Sequence, residues 1–211
     1  MMTDNSMQTI RRHADAGAKL RMRFFDEQAD LIRNVALRIA VAMASGNKLL
    51  ICGNGGSAAD AQHMAAEFVN RFLIDRPPLP AIALTTDSSI ITAVGNDFGF
   101  DLAFAKQVAA LGKAGDILLA ISTSGNSKNI LLALDEAKKL GMLALGLTGK
   151  GGGAMAPLCD LLINVDDAST PLIQEIHITV EHLLCELTDY FLFENVAALT
   201  PYLNAEKDLP L

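Results

Sequence analysis

The chain is organised around the stretch from Leu49 to Glu67, which reads LLICGNGGSAADAQHMAAE. Its first four residues, Leu49 to Cys52, are continuously apolar, as in a parallel strand that is buried on both faces. The segment Gly53 to Gly56 permits a sharp turn and a close approach of its backbone to a ligand. A helix is expected from about Ala58, with Ser57 in position to cap it. The stretch therefore predicts a buried strand followed by a helix N-terminus that attracts an anion such as phosphate or carboxylate.

One imidazole and one carboxylate share a face of this predicted helix. His63 and Glu67 are four residues apart and hence within about 40° of each other around the helix axis. Ala61, Ala65 and Phe68 fall on the opposite face, where the alanines allow close packing on a sheet. The polar pair then points toward the strand ends or a neighbouring subunit. The alternative is a surface pair worth about 0.2–0.5 kcal/mol.

The same turn also fits a dinucleotide-binding pattern. Gly53, Gly55 and Ala58 have the required spacing, and Asp75 follows about 20 residues later, where a ribose-binding acid belongs. Against this alternative, Asp75 is followed by Arg-Pro-Pro, and the helix would present a histidine and a glutamate to the cofactor. Nicotinamide binding therefore ranks low among the hypotheses.

Composition limits the class of protein. The chain has 211 residues, 51% of them hydrophobic, and can bury one substantial core. A net charge of -7 argues against a broad surface for nucleic acid or anionic membranes, so an anionic ligand must be held locally. The three cysteines lack CxxC spacing and predict neither disulfides nor a thiolate zinc site. The N-terminus lacks the layout of a secretory signal, and no apolar run is long enough to span a bilayer, so we expect a soluble, cytoplasmic protein.

Apolar runs alternate with helical segments along the chain. Residues 6–44 have helical spacing without proline and predict one long helix or two, part of which packs on another subunit. Further strands are expected at 81–84, 116–121, 142–147 and 161–165, and further helices at 88–95, 102–111, 128–140 and 171–193. Asn96 to Gly99 is expected to break the helical pattern. The alternation predicts a parallel sheet with helices on both faces and a ligand site at the carboxyl edge.

A second strand-to-helix turn, Ser122 to Ser127, reads STSGNS and places four hydroxyls at a helix N-terminus. Hydroxyls, backbone amides and the helix dipole together suit a phosphate monoester, which needs several donors. The alternative is an ordinary N-cap, but one hydroxyl is enough for that. No GK[ST] element follows, so a nucleotide P-loop is not expected.

The last predicted helix carries a stripe of apolar residues, namely Ile173, Ile176, Val180, Leu183, Leu184 and Leu187. His177 lies at the edge of the stripe, and we interpret it and His13 as structural or solvated histidines. His182 lies on the far side, and the face that it shares with Gln174 is neither plainly core nor plainly solvent. Such a face is compatible with a site at a subunit contact.

His63, Glu67, Gln174 and His182 together would supply two imidazoles, a carboxylate and an amide oxygen. This donor set suits Zn²⁺ or another divalent cation if the four side chains converge. Their spacing in the sequence does not by itself decide between a metal site and simple surface pairs.

Four segments in order, CGNGGSAADAQHMAAE, GNDFG, STSGNS and QEIHITVEH, resemble the sugar isomerase (SIS) domain family, and the resemblance covers nearly the whole chain. It implies a single SIS domain over residues 1–211 with a flavodoxin-like three-layer α/β sandwich and a five-stranded parallel sheet. It also implies a homotetramer with sites at subunit contacts, in which residues 1–46 serve oligomerisation, and one Zn²⁺ per subunit.

The resemblance further implies conversion of D-sedoheptulose 7-phosphate to D-glycero-D-manno-heptose 7-phosphate, the first step toward the heptose of bacterial lipopolysaccharide. The implied phosphate-binding residues are Ser57, Ser122, Thr123, Ser124 and Ser127. The implied sugar-binding residues are Asn54, Gly55, Gly56, Arg71, Asn96 and Asp97, with Glu67 and Gln174 also at the substrate. The implied acid/base pair is Glu67 and His182, and the implied zinc ligands are His63, Glu67, Gln174 and His182.

A non-catalytic member of the same family is the leading alternative. Such a protein would act as an adaptor for a replication initiator protein through its tetramer surface. An adaptor shares the fold and the phosphate turn, but it does not need the four potential metal ligands together. Their joint presence in the sequence favours the enzyme.

Overall fold

A computed structural model describes residues 5–203, so residues 1–4 and 204–211 of the predicted single domain lie outside the described part. Five strands form one sheet, and they are β1 (Leu49–Gly53), β2 (Ala81–Ala83), β3 (Ile117–Ser122), β4 (Leu143–Gly149) and β5 (Leu161–Val165). All neighbouring strands are parallel, in the order β2-β1-β3-β4-β5. This order is that of flavodoxin-like folds and confirms the predicted fold class.

The helices alternate with the strands, as the sequence pattern predicted. They are α1 (Ser6–Ala44), α2 (Gly56–Val69), α3 (Ser88–Phe98), α4 (Ala105–Leu111), α5 (Lys128–Lys139), α6 (Thr170–Asp189) and α7 (Thr200–Leu203). Short 3₁₀ helices cover Phe100–Leu102, Gly153–Leu158 and Val196–Leu199, and a π-helical turn covers Tyr190–Glu194. Within residues 5–203, no helix combines the length and the apolar character that a membrane span requires.

The sheet divides the interior into two cores. Leu49 and Ile51 of β1 face the core under α1, α2 and α6, whereas Leu50 and Cys52 face the core under α4 and α5. Every residue of β1 is buried, which confirms the prediction of a strand covered on both faces. Ala61, Ala65 and Phe68 of α2 are buried as predicted, so α2 lies close to the sheet.

The N-terminal segment is one continuous helix of 39 residues, which settles the choice between one helix and two. The buried side chains of α1 begin at Leu20 and concentrate in its C-terminal half. There α1 packs mainly against α6. The first turns of α1 extend past this contact and are largely exposed.

Four helix boundaries differ from the prediction. Helix α2 begins at Gly56 and its N-cap is Gly55, at φ 58°, so Ser57 lies inside the first turn and is not the cap. Helix α3 runs on through Asn96 and Asp97, because the break comes only at Gly99, whose φ of 90° favours glycine. The predicted helix from residue 102 begins at α4 after a 3₁₀ turn, and the last helix ends as α-helix at Asp189, before the π-helical turn.

Candidate active site

The fold brings the two glycine- and serine-rich turns together. Strand β1 lies between β2 and β3, and Gly53 pairs with Ile121 at the carboxyl end of the sheet. The chain order reverses at this point of the sheet, and such a switch point leaves a crevice between the turns that follow the two strands. The turn after β1 and the turn after β3 are therefore neighbours at the carboxyl edge of the sheet.

Two glycines of the first turn are closely packed. A Cβ on Gly53 would lie 2.5 Å from the carbonyl oxygen of Ser57. A Cβ on Gly56 would overlap the amide group of Gln174, which comes from α6. The amide group of Gln174 therefore lies directly against the first residue of α2.

The hydroxyls of the second turn are not used as helix caps. Ser127 is the N-cap of α5, yet its side chain makes no capping hydrogen bond. Its Oγ lies 3.3 Å from the Oγ of Ser122, and the Oγ of Ser124 accepts a hydrogen bond from the backbone amide of Asn126. The turn therefore keeps hydroxyls beside a helix N-terminus, which is what a phosphate monoester needs.

The loop with Gly151, Gly152 and Gly153 packs against this turn. Gly125 has φ 64°, and a Cβ there would overlap the backbone carbonyl of Gly152. The carbonyl of Gly125 accepts from the amide of Met155, and the Oδ1 of Asn126 accepts from the amide of Ala154. The sequence analysis gave these residues no role, although a run of three glycines after a strand is a signal of such packing.

A pair of amides joins the two turns. Asn54 in the first turn and Asn129 in the first turn of α5 donate to each other, over 2.9 and 2.8 Å. Asn129 is buried, with 4% of its surface exposed. The sequence analysis missed Asn129, because nothing in its sequence position shows that it faces Asn54.

The two histidines of the predicted site meet. The Nε2 atoms of His63 on α2 and His182 on α6 are 2.9 Å apart. The Nδ1 of His63 lies 3.8 Å from a carboxylate oxygen of Glu67. The ring of Phe72 stacks on His182, with 5.5 Å between ring centroids and 25° between planes. Two helices that are far apart in sequence thus bring the two predicted histidine ligands into contact, with Glu67 next to His63.

The fourth predicted ligand, Gln174, is oriented by a carboxylate. Its Nε2 donates to both carboxylate oxygens of Asp60, at 3.0 and 3.2 Å. Burial raises the pKa of Asp60, while the hydrogen bond from Gln174 and the nearby His63 act in the opposite direction. Because the amide nitrogen is taken, the Oε1 of Gln174 is the atom left to accept from a ligand or to bind a cation. Sequence analysis missed Asp60.

Three of the predicted sugar-binding residues make no hydrogen bond or ion pair with the rest of the predicted site, as far as residues 5–203 are concerned. Arg71 is exposed beyond the end of α2, and Asn96 and Asp97 are exposed in the last turn of α3, where Asn96 donates to Asp97 over 2.7 Å. Within residues 5–203, no hydrogen bond or ion pair joins any of the three to the histidine pair or to the hydroxyl turn. Their role in binding stays a prediction.

The donor set suits a divalent cation. Two imidazole nitrogens point at each other, and neutral imidazole nitrogens, a carboxylate and an amide oxygen are the ligand types that zinc accepts. The carboxylate of Glu67 faces Nδ1 of His63, so a shared ion requires a rotamer change in one of these side chains. Among the described residues, no three His, Cys, Asp or Glu side chains are already grouped as a metal site.

The other histidines are structural, as predicted. His177 is fully buried, and its Nε2 donates to the carbonyl of Thr148 over 3.0 Å. Burial lowers the pKa of His177 to about 4, against the opposing effect of this hydrogen bond. His13 is exposed and pairs with Glu175 at 2.7 Å.

Comparison with known proteins places this arrangement in a family. Residues 12–149 match the SIS domain model. Phosphoheptose isomerases of Desulfovibrio desulfuricans and Nitratidesulfovibrio vulgaris are 64% and 62% identical over 97% of this chain, and the matches cover 98% and 99% of those proteins. The chain belongs to the phosphoheptose isomerases of the SIS domain family.

The solved structure of a phosphoheptose isomerase from Francisella tularensis shows the same fold. It has a TM-score of 0.85 and 42% identity, and the match covers 89% of this chain and 99% of that one. Membership of the isomerase group rests on matches over nearly the full length of both chains. It does not favour the adaptor or the dinucleotide-binding alternative.

Proposed function

We propose that the protein isomerises D-sedoheptulose 7-phosphate to D-glycero-D-manno-heptose 7-phosphate, in the supply of ADP-heptose for the lipopolysaccharide core. The observation that carries the proposal is the contact of His63 with His182 beside Glu67. Similarity to phosphoheptose isomerases over 97% of the chain supports the same activity.

In this proposal the substrate phosphate binds between the two turns. Ser57 lies in the first turn of α2, and the hydroxyls of Ser122 to Ser127 lie just before α5, so both groups lie at helix N-termini. The partial positive charge and backbone amides of these termini favour an anion there. Local binding of this kind is required because the chain as a whole carries a net charge of -7.

The sugar carbon chain then extends from the phosphate toward the histidine pair. An aldose–ketose isomerase removes a proton from the carbon next to a carbonyl and returns it to the neighbouring carbon, through an enediol. Glu67 is the base that takes the proton from C1 and returns it at C2. His182 exchanges protons with the two oxygens, and the ring of Phe72 stacked on it fixes its orientation.

Zinc is part of the proposal. His63, Glu67, Gln174 and His182 would hold the ion, and the hydrogen bond from Gln174 to Asp60 leaves the amide oxygen free for that purpose. When bound, the ion polarises the carbonyl and stabilises negative charge on the enediol oxygens. We also expect the enzyme to be a cytoplasmic homotetramer with its sites at subunit contacts.

The comparisons do not favour the adaptor hypothesis, since the relatives matched over 97% of the chain are phosphoheptose isomerases. An adaptor has no need for Asp60 to orient Gln174 or for Phe72 to stack on His182. Recovery of a replication initiator protein by pull-down, together with absence of isomerase activity, would favour it over the enzyme.

The direct test is an assay with sedoheptulose 7-phosphate, with and without zinc and chelator, in which the aldose is detected by NMR. We expect zinc-dependent product in the wild type. Glu67→Gln should lower kcat by about 100-fold or more with little change in KM, since it removes the base and spares the phosphate contacts. His63→Ala should lose bound zinc.

Glu175→Gln is the matched control, since it removes a carboxylate from the exposed face of α6, where Glu175 pairs with His13. It should retain wild-type kcat. Near-normal turnover in Glu67→Gln would contradict the assignment of Glu67 as the base. Absence of product from the folded wild type under every metal condition would overturn the proposed reaction.

A further inference from the structure

A buried arginine joins the ends of the two helices that carry the proposed ligands and bases. Arg76 lies in the loop after α2, and its side chain is 1% exposed. Its Nε donates to Asp189, the last residue of α6, at 2.9 Å. Its Nη1 and Nη2 donate to the carbonyls of Phe68 and Glu67 at 2.7 and 3.0 Å. One guanidinium therefore bonds both helices.

These contacts satisfy groups that the helices leave open. The last four carbonyls of an α-helix have no partner within the helix, and a cation near them is favourable. Glu67 and Phe68 lie in the last turn of α2, which ends at Val69. The planar guanidinium presents its donors in fixed directions, so it can bond a carboxylate on one side and two carbonyls on the other. A lysine ammonium, which has no such rigid fork, cannot hold the same three groups in one arrangement.

We call the contact of Arg76 with Asp189 and with the carbonyls of Glu67 and Phe68 the clamp, and it joins the two helices that carry the proposed catalytic residues. Helix α2 carries His63 and Glu67, and helix α6 carries Gln174 and His182. Arg76 bonds the backbone carbonyl of Glu67 itself. Asp189 is seven residues after His182, which is about two helical turns, or roughly 10 Å, along α6. The clamp thus fixes one end of α2 against one end of α6 without touching the space where substrate would bind.

We propose that Arg76 is a positioning residue that sets the distance and tilt between α2 and α6, and hence the placement of Glu67 relative to His182 during turnover. This inference rests on the proposed isomerase function. A displacement of about 1 Å between reacting groups can cost about 100-fold in rate, so a helix shift too small to unfold the protein is enough to slow catalysis. The phosphate turns follow β1 and β3 and are not held by Arg76.

The test compares Arg76→Lys and Arg76→Met with Asp116→Asn. Like Arg76, Asp116 belongs to a buried ion pair. Its carboxylate is fully buried, pairs with Lys48, and accepts hydrogen bonds from the backbone amides of Lys48 and Lys113. It precedes β3, at the edge of the sheet opposite the site. Each variant is assayed for kcat, KM, melting temperature and zinc affinity by chelator competition.

For Arg76→Lys we expect kcat to fall about 10- to 100-fold, KM to stay within about two-fold, and zinc to be lost at about 10-fold lower chelator concentration. Arg76→Met should be worse in the same direction. Asp116→Asn should lower the melting temperature but leave kcat and zinc affinity within about two-fold of the wild type. If Arg76→Met does not fold, Arg76→Lys provides the comparison.

Three outcomes are decisive. Unchanged kcat and zinc affinity in a folded Arg76→Lys protein would overturn the inference while leaving the isomerase proposal intact. An equal loss of kcat in Asp116→Asn would also overturn it, because a general loss of stability would then explain both variants. If the wild type shows no isomerase activity, the proposed function fails, and zinc affinity in the Arg76 variants still tests the clamp.

Discussion

At the residue scale, the environment decides what each titratable or amide side chain can do. Gln174 and Gln107 are both glutamines that donate through Nε2, but Gln107 donates to two backbone carbonyls in the core and Gln174 donates to a carboxylate beside the site. The first contact only satisfies a buried group. The second leaves an acceptor oxygen at the crevice, so Asp60 determines the chemistry available at Gln174.

The buried His177 makes stability depend on pH. Its pKa is about 4 in the folded protein against about 6.5 when unfolded, so the unfolded state binds more protons between these values. The contribution is fully present above pH 6.5 and is lost as the pH falls to about 4. In His177→Gln, where the amide can still donate to the carbonyl of Thr148, we expect the loss of unfolding free energy between pH 7 and pH 4.5 to shrink by about 2 kcal/mol.

Urea unfolding at several pH values measures this difference. His13→Gln is the control, since it makes the same replacement at a histidine that is exposed instead of buried. Parallel curves for His177→Gln and the wild type between pH 7 and 4.5 would show that His177 does not titrate in this way.

At the scale of elements, the site depends on how two strand-to-helix turns are held together. The reciprocal amide pair of Asn54 and Asn129 spans from the first turn to α5. In Asn129→Ala, Asn54 loses its partner and the two halves of the phosphate site can separate. We expect KM for the sugar phosphate to rise about 10-fold, with kcat at saturating substrate changed less than three-fold, because Glu67 and His182 lie on other helices.

The matched control for this prediction is Gln107→Ala. Gln107 is equally buried, at 5% exposure, but it is on α4 and bonds Leu84 and Ala103 away from the turns. It should lower the melting temperature without raising KM. A KM in Asn129→Ala equal to that of the wild type would show that the amide pair is not needed to hold the phosphate site.

At the scale of the whole molecule, α1 is longer than the core requires. Its first turns carry apolar side chains that are well exposed, including Met7 at 59%, Ile10 at 60% and, further along, Met22 at 72%. Several exposed apolar residues on one helix are typical of a subunit contact. The family resemblance implies a tetramer of the 22.4 kDa chain, and we expect a smaller assembly after deletion of residues 1–17, which removes Met7 and Ile10 but keeps the buried Leu20 and Phe24.

Light scattering coupled to size-exclusion chromatography measures both masses. Circular dichroism of the shortened chain confirms that it is folded. A full-length protein with the mass of a single chain would contradict the prediction. So would a shortened chain that remains a tetramer, because the first turns of α1 would then not contribute to assembly.

The strand-turn-helix units, the fold class and the two turns proposed to bind the phosphate could all be predicted from the sequence. These depend on local causes, namely continuous apolar runs, glycine spacing and helical periodicity, which act between residues that are near in sequence. Predictions from the same local patterns were wrong for the start of α2 and the end of α3. At both ends the glycine with positive φ, Gly55 or Gly99, marks the boundary more closely than the polar residues do.

Only the tertiary structure decided which side chains meet. The contacts of His63 with His182, Gln174 with Asp60, Asn54 with Asn129 and Arg76 with Asp189 all join residues more than 70 positions apart. Such contacts depend on the packing of α2 against α6 and on the pairing of β1 with β3, and no spacing rule within one segment encodes them. The proposed metal ligands could be predicted from the sequence by their residue types. The buried Asp60, Asn129 and Arg76 could not, because their roles depend on contacts with residues that are distant in sequence.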